Sequence, residues 1–472
     1  MDFPWKFFVD IGIISAALLA ATYLRARFAF FQRYLIPNAL TAGFVLLLFY
    51  NVLAPLMGLT TDGLGAMVYH LLSISFIAMT LRRSPERKES EEHGVLGTAM
   101  VIVFQYGMQA TIGLTITLGF MLTIFPDLFP SMGFFVPLGF ALGPGQAFAI
   151  GEGWRAFGFE GGGTVGLTFA AIGFLFACFG GVWLINYGIR KEWLSTEKRD
   201  AIRKRGVRTG VYPKGEGSRT GMQLTTETEA IDSLTFTAAM VFLTYLASYL
   251  FLKLLTYLLA FAGPLGNDLA VNLWGINFVF AALAALLLKL IIRRLGIQYT
   301  LDNHALNRIA GFSVDLMVAA AVGAISMVVV ARYWIPITVM SAAAGFLTLL
   351  TVPWLASRAF KDHPFDRLLI IYGAMTGTMP TGLALLRVID PDFETPVASD
   401  YVFSTAIVFV VCIPFILAIN LPAYTYSTGN PLYFWLGFAV SVAYLILGFG
   451  GFLYVARRRA FRRPHHHFLK EE

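Results

Sequence analysis

Charge is scarce in this sequence. Asp, Glu, Lys and Arg make up 13% of its 472 residues, and 57% are hydrophobic. A soluble domain carries about 25% charged and about 45–50% apolar residues. The shortfall excludes an ordinary globular enzyme, a disordered chain and a coiled coil, and leaves a lipid bilayer as the solvent. Cysteine is scarce too: Cys178 and Cys412 are the only two, each inside an apolar run. They build neither a disulfide framework nor a zinc pattern. H-E-x-x-H, G-x-S-x-G and the phosphate-binding G-x-x-x-x-G-K are all missing. The expectation is therefore a non-enzyme without a cofactor, and any transport would draw on an ion gradient. No cleavable signal is expected, because the first apolar run leads into a basic flank.

What is present is a series of apolar runs near 7–24, 34–54, 66–81, 95–124, 163–189, 233–262, 269–292, 309–331, 334–356, 400–422 and 432–456. Each approaches the roughly 20 residues that a spanning helix needs. Two further stretches, 133–158 and 366–390, are apolar but broken by Gly, Pro, Thr and charges. With the N-terminus outside, 30 of the 35 Lys and Arg fall in inside loops or the tail, as the positive-inside rule requires. Letting either broken stretch cross would place the basic segment 190–232 or the basic tail outside. Each is therefore expected to enter and leave on one side, as a re-entrant hairpin. The net charge of +7 then reports topology and not nucleic-acid binding.

Five spans and one hairpin thus occur twice, with opposite orientation. Shifting the sequence by 234 places Gly139 on Gly373, Gly143 on Gly377, Cys178 on Cys412 and Asn186 on Asn420. It also places Phe159-Glu160 on Phe393-Glu394 and Asn38 on Asn272. The expected fold is an all-α polytopic membrane protein of about 11 transmembrane helices, a 5+5 inverted repeat with two oppositely oriented re-entrant hairpins and one extra C-terminal helix. Its parts are 1–190, a cytoplasmic linker 191–232, the second repeat 233–422, the extra helix 432–456 and a basic cytoplasmic tail 457–472. Inverted repeats with interrupted segments at matching positions are the pattern of secondary transporters.

The first hairpin contains Gly143-Pro144-Gly145-Gln146, and the second Thr376-Gly377-Thr378-Met379-Pro380-Thr381-Gly382. Broken helices free N–H groups that favour an anion, and carbonyls and hydroxyls that suit sodium. The alternative is that these glycines only permit close helix packing. Gln105 and Gln109 share a helix face, as interhelical glue or as site lining. Asn186 and Asn420 read the same two ways. Arg387 could pair with a substrate carboxylate or snorkel to the surface. Asp315 could be a cation ligand or an interfacial group beside Arg308. Glu152 and Arg155 could pair with each other. Lys253, His70 and His304 read as structural or interfacial groups.

The run Tyr372-Gly-Ala-Met-Thr-Gly377-Thr-Met-Pro380-Thr381-Gly382 resembles the second loop of the bacterial sodium/glutamate symporter family. Leu142-Gly-Pro-Gly-Gln146-Ala-Phe-Ala is similar to that family's first loop, and Ile36-Pro37-Asn38-Ala-Leu-Thr-Ala-Gly43 to its second-span entry. The likeness runs in order over about 1–422. It implies sodium-driven uptake of glutamate, a homodimer, and elevator-like movement of a hairpin-bearing domain in the cytoplasmic membrane. It carries over most directly to Gly143, Gly145, Gly377, Pro380 and Thr381. Pro144, Gln146 and Met379 depart from the family's loops, as does the span 432–456. The substrate-binding set expected is Gly143, Pro144, Gly145, Gln146, Thr376, Gly377, Thr378, Pro380, Thr381 and Arg387. The sodium set is Asn186, Asn420, Thr378, Thr381 and Asp315. The other readings are a proton-coupled or exchange carrier for another organic anion, and an ion channel.

Overall fold

A computed structural model describes residues 5–34, 36–82, 94–193, 223–227, 229–261, 263, 270, 273–390 and 395–461. Most of the linker, Asn272, Phe393-Glu394 and the end of the tail lie outside the described residues. The described chain is helical, with α1 (Lys6–Arg27), α2 (Asn38–Met57), α3 (Asp62–Leu81) and α4 (Gly94–Leu122) coming first. A broken pair follows, α5 (Pro130–Leu142) and α6 (Pro144–Gly153), then α7 (Gly162–Arg190). The second half holds α8 (Ser233–Ala260), α9 (Asn277–Arg294), α10 (Asn303–Gly323) and α11 (Met327–Ala359). It continues with a second broken pair, α12 (Pro364–Thr376) and α13 (Met379–Ile389). Last come α14 (Val397–Ala418), α15 (Leu421–Thr428) and α16 (Leu432–Ala456).

Ten of these helical segments are long and apolar enough to cross a membrane, so the chain is a polytopic helical membrane protein. The eleventh expected span, 269–292, corresponds to α9. That helix starts at Asn277 and carries Lys289, Arg293 and Arg294 in 18 residues, which is why its apolar stretch is short. A helix satisfies its own backbone, the condition for a segment in lipid. Two helix starts are capped by aspartates. The Asp232 carboxylate accepts from the N–H groups of Leu234 and Thr235 at 2.9 and 3.1 Å. Asp302 caps α10 through the N–H of Ala305 at 3.0 Å.

The helices sort into two groups by what they pack on. In the first, α10 packs on α2 and α3, α9 on α3, α1 on α2, and α8 on α9. In the second, α4 packs on α5, α11, α14 and α16, while α7 packs on α6, α11 and α12. The groups meet chiefly where α6 lies on α3 and α10. Corresponding positions of the two halves make corresponding contacts: α1 on α2 matches α8 on α9, and α2 on α10 matches α9 on α3.

Aromatic packing holds the first broken pair. Phe129 and Phe159 stack with centroids 4.3 Å apart, and fully buried Trp154 sits 4.7 Å from Phe135. In the second pair the arms press together at glycines. A Cβ on Gly373 would lie 2.8 Å from the Gly382 Cα, closer than any side chain permits.

Candidate functional site

Each broken pair turns where its sequence leaves no alternative. Gly143 has φ +102°, a conformation open to glycine and strained for other residues. Pro144 then starts α6, where its missing N–H costs nothing. In the second pair α12 ends at Thr376, Thr378 is extended, and Pro380 lies in the first turn of α13. The two turns touch: a Cβ on Gly143 would lie 2.7 Å from the Thr378 methyl carbon. The N-terminal ends of α6 and α13 therefore meet, each with backbone N–H groups that its own helix cannot satisfy.

Beside this meeting point lies a cavity of about 540 Å³, within the size range of small-molecule sites. Pro144, Gln146, Thr378, Met379 and Pro380 line it from the turns. Other walls come from α3, α4, α9, α10 and α14, so both helix groups contribute. Gln146 is 3% exposed, and its amide has no protein partner among the described residues. The hydroxyls of Thr378 and Thr381 are 3.2 Å apart. Two cations, Arg82 and Lys289, also line the cavity, and no Asp or Glu does among the described residues. Lys289 Nζ donates to the carbonyls of Thr80 (3.1 Å) and Arg82, while Arg82 Nε is buried without a partner among the described residues. Gly145 is pressed against Leu72 of α3. Arg82 is ten residues further along, about 15 Å at 1.5 Å per residue, so the cations stand at the far end of the cavity from the turns. Another hollow, of about 430 Å³, lies among loops around Tyr299, Asp302 and His304, away from both broken pairs.

The structure brings together Gly143, Pro144, Gly145, Gln146, Gly377, Thr378, Pro380 and Thr381. Thr376 lies at the same turn but faces inward, its hydroxyl donating to the Tyr372 carbonyl at 2.7 Å. Four residues expected at the site are elsewhere. Arg387 is exposed in the last turn of α13 and lines no part of the cavity. Asn186 is exposed, and its Nδ2 donates to the Val182 carbonyl of its own helix at 2.9 Å. The Asn420 side chain accepts from Trp154 Nε1 at 2.7 Å, at the far end of α6 from the turn. Asp315 is exposed on a face of α10 that its cavity-lining neighbours Val314 and Met317 do not share. Side-chain direction around a helix decides each case. Glu152 and Arg155 do pair, at 3.6 Å.

Gln109, read as interhelical glue or site lining, donates through Nε2 to the Met375 carbonyl at the end of α12, at 2.9 Å. Two features were missed by sequence reasoning. Arg82 and Lys289 were assigned to loop topology. Arg367, 1% exposed, bridges Asp362 at 2.6 Å and Asp400 at 2.7 Å at the base of α12. Charges flanking an apolar arm were the available signal for this last cluster. In comparisons with protein-family models, curated proteins and solved structures, none matches the chain.

Proposed function

We propose that the chain is a secondary active transporter in the cytoplasmic membrane that moves a small organic anion, coupled to sodium. The observation that carries the proposal is the contact of two glycine- and proline-broken turns over a cavity lined by both helix groups. In this reading the broken pairs are re-entrant hairpins inserted from opposite sides of an inverted repeat, with the N-terminus outside and the C-terminus cytoplasmic. The matched contacts of the two halves support the repeat. The second helix group, which carries both hairpins, would slide against the first in an elevator-type movement, and a homodimer would steady the first group. The two turns abut at Gly143 and Thr378. That favours a carrier over a channel.

A carboxylate would sit at the free N–H groups of α6 and α13, with Gln146 and Thr378 as further donors. Sodium would use turn carbonyls and the hydroxyls of Thr378 and Thr381. The resemblance makes glutamate the first substrate to test. The cavity favours a second reading, an organic anion without an ammonium group. Among the described residues its charges are cationic, and a buried ammonium without a counter-charge costs several kcal/mol.

The test is uptake into proteoliposomes under an imposed inward sodium gradient, with labelled glutamate and glutarate in parallel. Accumulation that needs sodium and falls at least tenfold in Gln146→Leu or Thr378→Val supports the reading. Accumulation of glutarate alone selects the second. Failure to move either compound, or any other organic anion, under sodium or proton gradients would sink the transporter proposal.

A further inference from the structure

Away from the cavity, the contact between α4, α11 and the end of α12 holds polar groups that the proposed substrate site does not use. Gln105 and Gln109 lie four residues apart on one face of α4, and both are completely buried. Their Nε2 groups are spoken for. Gln105 donates to the Thr351 hydroxyl at 2.9 Å. Gln109 donates to the Thr348 hydroxyl at 3.1 Å and to the Met375 carbonyl at 2.9 Å. These partners settle which way each amide points. The Thr351 hydroxyl gives its hydrogen to the Leu347 carbonyl at 2.7 Å, so towards Gln105 it accepts. The Met375 carbonyl can only accept. Both Oε1 atoms therefore point away from these partners, and both are buried with no partner among the described residues. Two unpartnered amide oxygens one helical turn apart thus lie in a fully buried contact.

We infer that this pair binds a monovalent metal cation through Gln105 Oε1 and Gln109 Oε1, with the Thr348 and Thr351 hydroxyls holding the amides in place from the Nε2 side. The charge balance selects the ligand. The helices α4, α7, α11 and α16 contain no acidic residue, and the one acid of α12, Asp366, lies nine residues before Met375. Neutral oxygens suit one positive charge. A divalent ion in protein sites calls for carboxylates, and amides and hydroxyls hold no proton of their own to exchange. The position gives the ion a consequence. Gln109 ties the cation to the Met375 carbonyl, two residues before Gly377. Occupancy therefore holds the end of α12, and with it the turn that bears Thr378. That role as a coupling site rests on the transport reading above; the binding site itself does not.

The experiment uses the full chain in lipid nanodiscs. The unfolding midpoint is followed while sodium chloride replaces choline chloride at constant ionic strength, with potassium chloride in a parallel series. The expected result is a saturable rise with sodium or potassium that choline does not produce. The rise should vanish in Gln109→Leu and in Gln105→Leu and persist in Gln109→Glu. Thr351→Val, a smaller change, should weaken it at least tenfold and serves if a leucine variant does not fold. The absence of any cation-specific rise in the unaltered protein would overturn the inference. So would a rise left intact by both leucine substitutions. A specific rise without anion uptake would retain the site and reject the transporter reading.

Discussion

The two broken segments have the same outline and are held by different forces. Around the first, rings of Phe129, Phe135, Trp154 and Phe159 pack in contact, and its turn rests on glycine. The second is tied by directed bonds along its length. Arg367 bridges two aspartates at its base, the Tyr372 hydroxyl donates to the Phe176 carbonyl at 2.9 Å, and Gln109 holds the Met375 carbonyl. Apolar packing is non-directional and follows buried area, so it gives a stable platform. Hydrogen-bonded clusters exist as discrete arrangements, the property that a two-state element needs. The contrast separates a cavity wall held by buried area from one held by directed bonds.

The hardest test of this contrast is Arg367→Ala. It leaves fully buried Asp400 and partly exposed Asp362 without their shared counter-charge, and should destabilise the protein by about 3 kcal/mol or more in reversible denaturation. A near-neutral result would remove the ionic anchor from the comparison. Next comes Gly143→Ala. A side chain at φ +102° would be strained and would press on Thr378, at a cost of about 1–3 kcal/mol read from the unfolding midpoint. Uptake should fall with it, because the two turns could no longer close on each other. Trp154→Phe keeps an aromatic ring but removes the bond to Asn420 and part of the buried indole. About 1–2 kcal/mol is expected, with uptake retained. A loss as large as that of Arg367→Ala would mean that the first segment is also anchored by a directed bond. The smallest effect belongs to Asn186→Ala. Its amide is exposed and bonds only its own helix, so stability should stay within about 0.5 kcal/mol. The sodium dependence of uptake should stay the same.

Much of the outline was legible in the chain. The long apolar runs became helices because lipid leaves the backbone few other ways to satisfy itself. Gly143-Pro144 and Gly377 to Pro380 became turns because neither run can continue a helix. The charged residues show where such reading stops. Arg367 and Arg387 belong to the same broken segment, yet one is buried between carboxylates and the other faces outward. Asn186 and Asn420 match under the repeat shift, yet one bonds its own helix and the other a tryptophan of the first broken segment. A matched position fixes a place along a helix and not the neighbour that its side chain meets.

The sequence by itself determined that the chain is a many-helix membrane protein with two interrupted segments, because hydrophobic length and helix-breaking residues act locally. Only the tertiary structure decided which polar groups meet. It set Gln146 and Thr378 beside a cavity that Arg82 and Lys289 also line, turned Asp315 and Arg387 away from it, and placed Gln109 against the end of α12. Each of these outcomes depends on the rotation of one helix against another. That rotation is set by packing among residues distant in the chain, and no local pattern records it.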